Sequence, residues 1–106
     1  MADLPDAIKG APHVYKLVME NDKVRVLDVR WKPDDKASMH THPDHVVHVL
    51  TDTQLKLATP DGKSQEFSLK AGQSLWIGAG PHEATYLGMT EAHLLVVEVK
   101  PVAPRR

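Results

Sequence analysis

Leu55-Lys56-Leu57-Ala58-Thr59-Pro60-Asp61-Gly62-Lys63, continued by Ser64-Gln65-Glu66-Phe67-Ser68-Leu69-Lys70, decides the fold class of this 106-residue chain. Proline presets φ at the second position of a turn and glycine supplies φ > 0 just after it, so the segments on either side are predicted to return on each other as a hairpin. Both flanks alternate apolar and polar residues, as half-buried antiparallel strands do. Outward from this hairpin the same period of two recurs at 14–18, 24–31, 46–50, 75–77, 84–87 and 94–99, which makes eight predicted strands. Between Val24, Val26 and then Leu27, Val29, Trp31 the alternation slips by one, which predicts a bulge or bend near Val26. Lys70-Ala71-Gly72-Gln73 and Gly78-Ala79-Gly80-Pro81 are further breakers, and helical periodicity is nearly absent. The pattern points to an antiparallel sandwich or small barrel over residues 13–100. An arm, 1–12, with one helical turn around Ala7, precedes it, and a polar tail, 101–106, follows.

Composition narrows the function classes. With 42% hydrophobic and 25% charged residues the chain is neither disordered nor rich enough in apolar runs to span a bilayer with helices. Thirteen Lys and Arg against fourteen Asp and Glu leave a net charge of -1, which argues against nucleic acid as a partner. The absence of cysteine removes disulfides, thiolate nucleophiles and Cys-ligated zinc. Residues 1–12 lack a charged segment leading into an apolar one, so a cytoplasmic location is expected. Ser74 lacks the second glycine of a nucleophile elbow, and Gly78-Ala79-Gly80 is too short for a dinucleotide fingerprint. Trp31 and Trp76 read as core or interface residues rather than a stacking platform.

Histidine is the abnormal residue: seven occur, and His40, His42, His45 and His48 fall within nine positions. In an extended chain His40 and His42 project from one face, the arrangement of two ligands on one metal. By the same period one of His45 and His48 points towards such a site and the other away. His82, just after the turn 78–81, is a distant partner for the pair. His93 shares a face with Leu95, Val97 and Val99 and is expected to be buried; His13 is expected at the surface, and Glu83 and Glu98 are expected to face solvent.

These residues carry a family resemblance. His40-Thr41-His42-Pro43-Asp44-His45 with 46–50 resembles the first motif of the cupin superfamily, HxH followed by a Glu and then a Gly. Gly72, Gly78-Ala79-Gly80-Pro81-His82 and Tyr86 resemble the second, a Gly, a PxG, a His and an Asn. His45 stands where the usual glutamate would be, Gly78 where the proline would be, and Tyr86 where the asparagine would be. The resemblance covers about 14–100 and implies an all-β double-stranded β-helix, a jelly-roll barrel, with one divalent transition metal held by His40, His42, His45 and His82.

Neutral imidazoles suit Fe, Mn, Ni, Cu or Zn and disfavour Mg and Ca. Four of them around tetrahedral zinc close a site, whereas octahedral iron or manganese keeps two positions for a substrate or dioxygen. Tyr86, four residues beyond His82 on the same strand face, is the candidate catalytic donor to a bound ligand. The resemblance implies a metal-dependent enzyme acting on a small oxygen-bearing substrate, foremost a dioxygenase, with isomerase or lyase chemistry behind it. The alternatives are a non-enzymatic metal or small-ligand binding module and a barrel that binds an organic ligand without metal. Residues 20–30 and 96–100 are similar to small cytoplasmic cupins associated with β-alanine degradation. Homodimerisation edge to edge is expected, with the stretch before Val14 as a segment that crosses to the partner.

Overall fold

Alternating sequence becomes alternating burial along most of the chain. The computed structural model describes residues 4–101. It contains one helical turn, α1 (Ala7–Gly10), and nine strands: β1 (Tyr15–Glu20), β2 (Val24–Trp31), β3 (Lys36–His42), β4 (His45–Val49), β5 (Thr53–Ala58), β6 (Ser64–Leu69), β7 (Ser74–Ile77), β8 (Gly80–Tyr86) and β9 (Ala92–Val99). Two antiparallel sheets face each other, one in the order β1-β2-β9-β4-β7 and the other β3-β8-β5-β6. Leu27, Val29, Trp31, Val49 and Leu94 of the first sheet meet Leu55, Ala84 and Tyr86 of the second in one buried core.

The β5–β6 hairpin forms as its turn chemistry predicts. Gly62 sits at φ 87°, its N–H donates to the Thr59 carbonyl at 3.0 Å, and the Thr59 N–H donates to the Lys63 carbonyl at 2.9 Å. The ninth strand is β3, whose mixture of Ser, His and Thr hid it from a reading based on apolar alternation. The bulge predicted near Val26 exists, but on the neighbouring strand: the pairing passes from Leu17↔Leu27 to Met19↔Val26, with Val18 left over on β1. β2 itself pairs with β9 without interruption. Its apparent slip has another origin, because Val24 and Val26 are apolar on the outer face while Leu27, Val29 and Trp31 are apolar on the inner one.

β9 corrects two expectations for the same reason. Both of its faces are apolar, and the inner one is Ala92, Leu94, Val96 and Glu98. Glu98 is therefore 2% exposed rather than solvent-facing. His93 lies on the outer face with Leu95, half-buried, and its Nε2 pairs with Asp28. Residues 4–12 do not reach away from the barrel. Ala7 and Ala11 are buried in this chain's own core, Asp6 caps α1 by accepting from the Lys9 N–H at 2.9 Å, and Asp6 bridges to Thr41 of β3. The tail beyond residue 101 lies outside the described residues. Among the described residues no helix is long and apolar enough to cross a membrane.

Candidate metal centre

Register places the histidines. On β3, His40 and His42 both point inward, and His40 pairs directly across from His82 on β8. Their three rings form a nearly equilateral triangle, with centroids 4.8 Å (His40–His42), 4.8 Å (His40–His82) and 4.9 Å (His42–His82) apart. One nitrogen from each lies within 4.8 Å of the others, and all three residues are buried. His45 enters from the opposite sheet on β4, also buried, with its ring centroid 4.5 Å from that of His42. It stands beside the triangle rather than in it, since the compact nitrogen set comprises only His40, His42 and His82. His48 alternates outward and hydrogen-bonds Ser74 Oγ through Nδ1 at 2.7 Å. His13 is exposed and its Nε2 donates to the Lys36 carbonyl.

Surrounding oxygens fix the tautomers. The register shift between Ala37 and His40 takes Ser38 out of the β3–β8 ladder, and the Ser38 carbonyl accepts from His40 Nδ1 at 2.6 Å. Glu98 Oε2 accepts from His42 Nδ1 at 2.7 Å, and the Pro43 carbonyl accepts from His45 Nδ1 at 2.8 Å. With Nδ1 carrying the proton in each ring, Nε2 is left as a bare lone pair. The Nε2 atoms of His40 and His42 then face each other at 3.0 Å. Two lone pairs at that distance repel unless a cation or proton lies between them. His82 Nε2 is likewise buried without a hydrogen-bond partner among the described residues. Convergent, unsatisfied imidazole nitrogens fit a transition metal, and nothing in the donor set suits Mg or Ca.

Electrostatics agree with this arrangement. Burial lowers the pKa of His40, His45 and His82, and for His82 the neighbouring His42, His40 and His45 add to it, bringing it to about 3. These imidazoles are therefore neutral near pH 7, the form that binds metal. Burial works to raise the pKa of Glu98, but the hydrogen bond from His42 and the charge of Arg25 outweigh it and hold the carboxyl below its usual range. Arg25 donates to Glu98 Oε1 through Nε at 2.9 Å and to Asp6 Oδ2 through Nη1 at 2.9 Å. A continuous polar chain thus runs from the cap of α1 through Asp6, Arg25 and Glu98 to His42. Sequence reasoning missed Glu98 and Arg25; the available signal was a charge inside a strand apolar on both faces, with an opposite charge across the ladder at Arg25↔Glu98.

Tyr86 is not brought to the histidines. Four residues along an extended strand is about 13 Å. Its hydroxyl donates to the Thr90 carbonyl at 2.5 Å, and its ring stacks on Trp31 with centroids 6.3 Å apart. The tyrosine beside the site is Tyr15, buried, with ring centroids 5.3 Å from His40 and 5.7 Å from His42. Burial and the nearby Glu98 raise its pKa, so its hydroxyl keeps its proton. A cavity of about 50 Å³ opens beside the histidines, lined by His42, His45 and His82 and by residues including Tyr15, Val47 and Leu55.

No family model and no curated protein matches the sequence. Solved structures do. The chain is similar to a cupin-domain protein of Bordetella pertussis Tohama I, with 27% identity over 95% of this chain and 100% of that one and a TM-score of 0.76. It is similar in fold to a Klebsiella pneumoniae protein with a double-stranded β-helix domain, at 20% identity and a TM-score of 0.65, covering 81% of this chain and 75% of that one. It also overlays on the Fe(II) enzyme HppE, at 16% identity and a TM-score of 0.60, over 79% of this chain and 48% of the enzyme. The chain has the cupin fold, and its buried histidine cluster is compatible with metal binding.

Proposed function

We propose that this chain is a metal-dependent cupin that binds a small oxygen-bearing substrate at His40, His42 and His82, with His45 alongside, and that its reaction is a dioxygenation. The observation that carries the reading is the 3.0 Å approach of two imidazole nitrogens whose protons are committed elsewhere, next to a third without a partner. Iron, manganese, nickel, copper or zinc would be held there, and when bound it supplies a Lewis-acidic centre to which oxygen donors coordinate. The chain's own residues do the rest. Ser38 and Glu98 hold His40 and His42 in the ligating tautomer, and Tyr15 and the apolar walls exclude water from the chamber. The β-alanine degradation context stays with this proposal and rests on the resemblance of residues 20–30 and 96–100 alone.

A non-enzymatic binding or sensing role is the second reading, favoured if His45 joins the other three and closes a tetrahedral zinc site.

Elemental analysis by mass spectrometry of untagged protein purified without chelators, beside His42→Ala, tests the proposal. Near-stoichiometric metal in the native protein and its loss in the variant are expected. Absence of metal after reconstitution with each of the five ions would overturn it. Oxygen uptake with small keto acids, diketones or phenols then separates an enzyme from a binding module.

A further inference from the structure

The cavity beside the histidines is polar at one end only. Apart from His42, His45 and His82 its walls are aliphatic and aromatic, with Leu57, Phe67 and Leu69 among them, and among the described residues no Asp, Glu, Lys or Arg lines it. The cation nearest in the network, Arg25, lies behind His42 and is bound to both Glu98 and Asp6. A second anionic group on a ligand would enter a chamber that offers it no partner, and burying an unpaired charge is prohibitive. At roughly 10–15 Å³ for each water-sized group, about 50 Å³ takes three to five of them. We propose, building on the metal-site reading, that the ligand pairs one oxygen-bearing head, held at the histidines, with an uncharged aliphatic body of about three to five carbons. Within this chamber, polyhydroxylated, phosphorylated and dicarboxylate bodies are disfavoured.

Two probes that share a head and differ only in the body test this on cobalt(II)-loaded protein: 4-methyl-2-oxopentanoate and 2-oxoglutarate. The visible cobalt spectrum reports the metal, and its change on titration reports the probe. Burial of the branched body is worth about a hundredfold in affinity, so 4-methyl-2-oxopentanoate is expected to bind at least tenfold more tightly. Equal or reversed affinities, or no response to either probe, overturn the ligand class and leave the metal site standing. Failure to develop a histidine-cobalt spectrum overturns the metal reading, and the ligand class falls with it.

Discussion

His42 is the residue on which the site turns, because it touches His40 through one nitrogen and Glu98 through the other. A carboxylate on the far nitrogen raises the basicity of a ligating imidazole, and losing such a partner typically costs ten- to a hundredfold in metal affinity. Glu98→Gln is therefore expected to weaken zinc binding by that factor, measured by competition with a chromophoric chelator. Glu98→Ala goes further, stranding Arg25, and is expected to cost about 3 kcal/mol in denaturant unfolding. His82 predicts a pH dependence. Its pKa falls from 6.5 in the unfolded chain to about 3 in the fold, so the unfolded state binds the proton first. Its contribution is complete above the unfolded value and is lost as pH drops from about 6.5 towards 3. Metal-free protein is expected to lose Tm across that range, and His82→Gln to lose less. His40 and His42 were legible from spacing, because imidazole is rare enough for four in nine positions to stand out; spacing allowed only one of His45 and His48 to face the site, and the motif resemblance pointed to His45. Glu98 was not, since a buried carboxylate looks like a surface one until its partners are placed beside it.

Among the elements, turns were read most faithfully, because their chemistry is local. Gly62 has nothing within 4 Å of where a Cβ would be, so only its φ of 87° opposes a side chain. Gly62→Val is expected to cost about 1–2 kcal/mol in chemical unfolding, while Gly62→Asn costs less. Strand faces were harder. A period of two names an inner face only when the outer one is polar, and β2 and β9 are apolar on both. The same ambiguity produced the apparent slip at Val26 and turned Glu98 and His93 to the wrong sides. β3 escaped notice because its inward positions are occupied by the histidines themselves: residues chosen for chemistry erase the hydrophobic pattern that marks a strand.

For the molecule as a whole, metal binding and folding are one equilibrium. The triangle is assembled from strands β3 and β8, which are 40 residues apart at His42 and His82, so it does not exist in the unfolded chain. Saturation at a hundred times Kd is expected to add about 2.7 kcal/mol to the unfolding free energy, seen as a rise in Tm that a chelator reverses. The fold carries, in addition, a pair of optical reporters. It has two tryptophans: Trp31, 1% exposed and lining the chamber, and Trp76, on the outer sheet face. With Trp76→Phe, emission comes from the interior alone and follows what enters the barrel; with Trp31→Phe, it comes from the outer face and follows what settles there. The interior and the outer sheet face can thus be watched separately, in solution and without an added label.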